Sequence, residues 1–245
     1  MALPKLATKT YQTTLPHLQR TVEFRPYVVR EERALLMANQ DDDESAMLMA
    51  TINLVDACVL TEGINANKLA DVDLQWLFIQ IRSKSVGEDV NFIQKCDNEG
   101  CGNEFEVKFN VENISAKASN PELHNLVYVV NKDTESQIII EFGLPTAETY
   151  ISSSKIEDPV NQTFHMIESC VQKITYEGNT YVTGVDFVQS EVSDFLGQLP
   201  AYHLEKIYAQ VFETAPKIYH EFSITCPKCK KEQNYSVEGL PNFFG

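Results

Sequence analysis

Four of the six cysteines fall into two short-spaced pairs, Cys96-Asp97-Asn98-Glu99-Gly100-Cys101 and Cys226-Pro227-Lys228-Cys229, with residues 102–225 between them. A short loop turns two thiolates toward one point, and two such half-sites complete a tetrahedral shell. The flanks repeat as well: Phe92 stands four residues before Cys96 as Phe222 does before Cys226. After each pair, polar residues give way to alternating side chains, with Phe105 and Val107 answering Tyr235 and Val237. This is the pattern of a zinc ribbon, in which each of two β-hairpin knuckles donates two ligands. It predicts one structural Zn²⁺ per chain on Cys96, Cys101, Cys226 and Cys229. A shell of four thiolates leaves no position for a reactive water. With the ion it carries a net charge of about −2, and Lys95, Lys228, Lys230 and Lys231 are close in sequence to offset it. The alternatives are four ordinary buried thiols or a disulfide within each pair. Cys58 and Cys170 lie among apolar positions and read as small buried hydrophobes.

At 245 residues the chain is long enough for one large domain or two small ones. Its 43% hydrophobic and 22% charged residues belong to a folded globular protein and exclude fibrous or low-complexity classes. The net charge of −15 repels phosphate backbones and anionic headgroups, so neither nucleic acid nor membrane is expected as a partner. No apolar run approaches the roughly 20 residues that cross a bilayer. The start Met-Ala-Leu-Pro-Lys lacks a secretory h-region, so the chain is expected to stay where it is made.

Alternation in Thr10–Thr14 and Thr21–Phe24 predicts a hairpin or extended arm, followed by helical character through Leu35–Met37 and the acidic loop Asp41–Glu44. Leu48, Ile52, Val55 and Val59 predict a helix over about 44–60; Leu74, Leu77, Phe78 and Ile81 predict another, capped by Asp71 or Asp73. Residues 104–111 alternate as a strand with one wet face, and 126–130 with 137–142 read as a hairpin. Asp158-Pro159 starts a helix whose stripe is Val160, Phe164, Ile167, Val171 and Ile174. A turn at 176–181 precedes a helix capped by Ser190 and one begun by Pro200. The expected fold is α+β, a helical body with short β-hairpins and a split four-cysteine zinc-ribbon-like module. Its expected parts are a β arm with a helical segment (1–90), the first knuckle and strand (91–112), a mostly helical insertion with a hairpin (113–221) and the second knuckle and tail (222–245).

Catalytic patterns are missing. None of His17, His124, His165, His203 and His220 sits in a metalloprotease or nucleophile-elbow context, and no glycine loop cradles phosphate. His165 with Glu168 and His203 with Glu205 read as solvated pairs, and no enzyme is expected. Lys228, Lys230 and Lys231 make one knuckle basic, whereas Asp97, Glu99, Glu104, Glu106 and Glu112 make the other acidic. A nucleic-acid groove needs one sign on both. The terminal Phe243-Phe244 is expected either to cover the chain's own ribbon or to fill a partner's pocket. The segment 25–32 is open to two similar readings, as a packed transition or a docking element.

Val22-Glu23-Phe24-Arg25-Pro26-Tyr27-Val28-Val29-Arg30-Glu31-Glu32, Cys226-Pro227-Lys228-Cys229 and Gly239-Leu240-Pro241-Asn242-Phe243-Phe244 together resemble the baseplate proteins of T-even-type contractile-tailed bacteriophages. Leu199-Pro200 through Pro216 adds to the likeness, while residues 110–190 contribute little. That family includes a baseplate hub subunit and a hub assembly catalyst, where catalysis means faster assembly and not bond chemistry. The resemblance implies a non-enzymatic structural or assembly protein of the hub, made in the host cytoplasm, with the virion tail baseplate as a further destination. Its implied partners are other baseplate hub and tail proteins, with a homo-oligomer left open. The competing class is a zinc-ribbon adaptor for nucleic acid or the transcription machinery.

Overall fold

Runs of β-branched and aromatic residues with period two become strands wherever a second such run lies within reach, and the longer 3.6-period runs between them become helices. A computed structural model describes residues 8–39, 44–118, 120–132 and 136–239. In chain order the elements are β1 (Tyr11–Thr14), β2 (Thr21–Phe24), α1 (Val29–Asn39), α2 (Glu44–Cys58), α3 (Asp71–Val86), β3 (Asp89–Lys95) and β4 (Glu104–Asn110). Next come β5 (Ser115–Ala118), β6 (Val127–Val130), β7 (Ile138–Phe142), α4 (Ala147–Ser154), α5 (Pro159–Ser169), β8 (Val171–Tyr176) and β9 (Asn179–Val182). The last are α6 (Gln189–Leu196), α7 (Ala201–Ile207), which continues as a π-helical segment over Tyr208–Glu213, then β10 (Pro216–Thr225) and β11 (Glu232–Glu238). The acidic stretch 41–43 and the terminal phenylalanines lie outside the described residues.

The chain divides into two compact units. The first comprises Met1–Ala66, Val72–Lys117 and Lys217–Gly245. It contains the hairpin β1–β2, the hairpin β3–β4 and a three-stranded sheet in the order β11-β10-β5. Helices α2 and α3 supply its core through Ile52, Val55, Leu74, Leu77 and Ile81, each at most 1% exposed. Burying one such side chain stabilises by about 1.5–3 kcal/mol. Asp73 does not cap its own helix as expected: its carboxylate accepts the backbone N–H groups of His17 (2.8 Å) and Leu18 (3.0 Å) and so holds the β1–β2 turn.

The second unit comprises Asn67–Asp71 and Ala118–Pro216. Its four-stranded sheet runs β6-β7-β8-β9, with antiparallel pairing throughout. Glu177 and Gly178, with φ of 49° and 78°, form the two-residue turn of the β8–β9 hairpin. Asp158 caps α5 as expected, accepting Asn161 N–H at 2.8 Å. Helix α6 instead has Val188 at its N-cap, where Glu191 takes the Val188 N–H at 2.8 Å, and Ser190 lies inside the helix.

The expected helical body is not what the chain forms. The architecture is mixed α+β, and the second unit's core is as much sheet as helix, with Val130, Ile140 and Phe142 packed among Ile167, Val192 and Val211. The local reason is clearest at α5, which ends at Ser169. Val171 and Ile174, expected to extend its stripe, lie in β8, paired to Phe142 and Ile140 of β7. A run as β-branched as Val171-Gln-Lys-Ile-Thr follows sheet pairing once a complementary strand is present.

Candidate metal centre

The two cysteine pairs lie at the turns of two antiparallel hairpins in the first unit. Strands β3 and β4 stay in register to Lys95↔Glu104, and β10 and β11 to Thr225↔Glu232. Immediately past each last pair, the N–H of the leading cysteine closes the loop. Cys96 donates to Asn103 carbonyl at 2.8 Å, and Cys226 to Lys231 carbonyl at 3.0 Å. In both loops the acceptor is the second residue after the trailing cysteine. The residue between them is left-handed in each case, Gly102 at φ 55° and Lys230 at φ 63°. The first loop absorbs its two extra residues between the cysteines, where Gly100 at φ 80° turns the chain.

These loops bring together all four cysteines singled out in the sequence. The Sγ atoms of Cys96, Cys101, Cys226 and Cys229 lie within 4.8 Å of one another. Cys96 and Cys229 are 3.7 Å apart, and Cys101 and Cys226 3.9 Å. A tetrahedral ion with bonds of about 2.3 Å to sulfur sets its ligands roughly 3.8 Å apart, so the cluster is compatible with a metal site. The sulfurs stand well beyond the roughly 2.05 Å of a disulfide, and all six cysteines are free thiols. Each loop contributes one buried sulfur, Cys96 or Cys226, and one half-buried sulfur, Cys101 or Cys229.

The protein's own dipoles already favour thiolates here. Backbone N–H groups of Cys229 and Lys228 aim at the Cys226 sulfur and hold its pKa down to about 6. Lys231 N–H lowers that of Cys229. Asn103 N–H favours the Cys101 thiolate too, but burial and the protons shared with the other three thiols outweigh it and push Cys101 up to about 11. Such a crowd of sulfurs cannot ionise fully without a cation among them. By contrast, burial alone pushes Cys170 up to about 12, and burial is the main cause that lifts Cys58 to about 11; both remain inert core thiols.

Several residues that support the cluster escaped the sequence reading. Gln233, 7% exposed, donates from its amide to Cys96 Sγ at 3.0 Å and accepts Asp97 N–H at 3.3 Å. Tyr235 donates its hydroxyl to the same amide oxygen and lies 3.4 Å from Lys95 carbonyl. Farther along the same strands, Phe109 of β4 stacks on Phe222 of β10 and is tilted against His220, with ring centroids 5.9 and 5.0 Å apart. The expected correspondence between the hairpins shifts by two residues, because Phe92 pairs with Val107 as Phe222 pairs with Tyr235. Val107 thus answers Tyr235, and Phe105 answers Gln233. The available signal was parity, since Gln233 alternates in phase with Tyr235 on β11.

Among the described residues no histidine joins the four-cysteine cluster. His203 is not a solvated partner of Glu205. It is buried, with Nδ1 2.9 Å from Tyr128 Oη, and burial followed by the Lys206 ammonium holds it below the usual imidazole range. His165 Nδ1 meets Ser153 Oγ at 3.0 Å. Among the described residues no helix is long and apolar enough to cross a membrane.

No curated protein and no solved structure matches the chain. A family model described as T4 bacteriophage base plate protein matches residues 8–245, nearly the whole chain, and the protein belongs to that family.

Proposed function

We propose that this chain is a non-enzymatic structural or assembly protein of the contractile-tail baseplate hub, and that one structural zinc ion locks its two cysteine loops together. Family membership supports the baseplate role, and the gathering of four sulfurs within 4.8 Å across residues 96–229 carries the zinc reading. Cys96, Cys101, Cys226 and Cys229 would hold the ion. When bound, it supplies a cross-link and charge compensation, and a full thiolate shell gives it no open position for substrate. The chain's own contribution is the set of N–H donors around the sulfurs and the exposed Lys95, Lys228, Lys230 and Lys231 that offset the site's negative charge. Other hub and tail proteins are its partners in this reading, first in the infected cytoplasm and then in the tail.

Elemental analysis of the purified chain, with thiol titration before and after denaturation, tests the metal. One zinc per chain is expected, with all six thiols protected until the chain is denatured in chelator, because Cys58 and Cys170 are buried in the core; a chain that carries no metal overturns it. Co-expression with individual baseplate components tests the hub role. Stable co-purification with a hub protein is expected, and a chain that stays monomeric with every component counts against it. The adaptor reading rests on the exposed Lys228, Lys230 and Lys231, but the equally exposed Asp97, Glu99, Glu104 and Glu106 of the other loop oppose a phosphate backbone.

A further inference from the structure

The hydrogen bonds around Gln233 have a direction. Its side-chain oxygen receives two donors, the backbone N–H of Asp97 and the hydroxyl of Tyr235. The Asp97 donor is a main-chain N–H that cannot act as an acceptor, so it fixes the amide; the single proton of the Tyr235 hydroxyl is shared between this oxygen and Lys95 carbonyl. The amide is therefore held with its oxygen toward these donors and its NH2 toward Cys96 Sγ, 3.0 Å away. Gln233 is 7% exposed and Cys96 5%, so this donor meets its sulfur with little competition from water. The bond also crosses between hairpins, from β11 to the start of the β3–β4 loop. At the corresponding place in the first hairpin stands Phe105, which has no donor to offer, so the arrangement is specific to one half of the repeat.

We propose that Gln233 is the positioning residue of the metal centre. It holds the Cys96 sulfur toward the other three, with the Asp97 N–H fixing the direction in which the amide donates and the Tyr235 hydroxyl supporting it. This rests on the zinc reading above and assigns a role to a residue outside the ligand set. Removing the donor leaves four cysteines able to bind, but Cys96 loses the hydrogen bond that sets its orientation. Outer partners of metal ligands typically alter affinity by about 10–100-fold.

The test uses the full chain and two variants. Gln233→Glu keeps the shape and the accepting oxygen but replaces the donor with a second acceptor; Gln233→Met keeps the approximate volume and has no donor. Zinc affinity is measured by competition with a chromophoric chelator, and cobalt(II) is then substituted to read the thiolate-to-cobalt charge-transfer band. Both variants are expected to bind zinc about 10–100-fold more weakly. The charge-transfer band should shift, while the visible bands of a four-thiolate tetrahedral ion persist. Tyr235→Phe, which removes one of the two orienting donors, should weaken binding less. A residue that only supported the fold would lower stability equally with and without metal and leave the cobalt spectrum unchanged. If either folded variant retains the parent affinity and spectrum, the inference falls while the zinc reading stands. If the parent chain binds no zinc, both fall together.

Discussion

Gly102 and Lys230 occupy matching places, each one residue past the trailing cysteine of its loop, and both hold left-handed backbone at φ 55° and 63°. Glycine meets this demand without cost, whereas lysine carries a penalty of about 1–2 kcal/mol. A Cβ added at Gly102 would meet nothing within 4 Å, so the penalty of Gly102→Ala is conformational. It should destabilise by about 1 kcal/mol. Lys230→Gly should stabilise by up to about 1 kcal/mol, the relief of strain being partly offset by greater freedom of the unfolded chain. Urea unfolding of the two metal-loaded variants checks both signs, and a neutral Gly102→Ala would contradict the matched-loop description.

Cys226 and Cys58 are both fully buried, yet they should respond differently to serine. Cys226→Ser removes a ligand, so zinc should be lost and the thermal midpoint should fall toward that of the chelator-treated parent chain. Cys58→Ser should keep a full complement of zinc and lose about 1–3 kcal/mol through burial of a hydroxyl in an apolar site. Zinc content and melting curves of the two variants, measured side by side, separate ligand from core thiol.

Asp73 is 1% exposed and receives two backbone N–H donors from the β1–β2 turn. Asp73→Ala strands both donors and should cost about 3 kcal/mol, at roughly 1.5 kcal/mol for each hydrogen bond to a charged group. Asp73→Asn retains one accepting oxygen and should cost about half as much. Hydrogen exchange at His17 and Leu18 should accelerate in the alanine variant. Unchanged exchange there would show that the carboxylate does not hold the turn.

Glu31 is 8% exposed. Burial opposes its charge, but the backbone N–H of Val28 and the guanidinium groups of Arg25 and Arg30 outweigh this and bring its pKa from 4.5 down to about 2. A carboxylate depressed by folding contributes stability above its unfolded pKa and loses it as the pH falls through the folded value. The contribution is fully present above about pH 4.5 and gone below about pH 2. The shift corresponds to about 3 kcal/mol, discounted to about 2 kcal/mol because Arg30 is 84% exposed. Glu31→Gln should be less stable by this amount at neutral pH, and the difference from the parent chain should vanish toward pH 2. Acid also expels the metal from both chains, so the difference between their stability profiles is the quantity to measure.

The local signals in the chain were strong where one residue decides an event. Asp158-Pro159 started a helix where expected, the glycine at 178 turned a hairpin, and the alternation over 104–110 became a strand with Val107 and Phe109 buried. The cysteine spacing pointed to all four members of the cluster, because the demand for two short loops is itself local. Gln233 was less legible: its phase on β11 marked it as inward-facing, but its partners Cys96 and Asp97 lie more than 130 residues earlier.

The sequence by itself determined the two cysteine loops, the turn at Gly178 and the helix start at Asp158-Pro159, since these depend on neighbours within a few residues. Only the tertiary structure decided that Val171 and Ile174 belong to a sheet and not to the end of α5, because that outcome required β7 to lie alongside. It likewise turned Asp73 from a cap of its own helix into the clasp of a distant turn, and gave the Gln233 amide its direction. In each case the same side chain satisfies either a local or a remote partner, and the choice follows from which donors, acceptors and strands the fold brings within hydrogen-bonding distance.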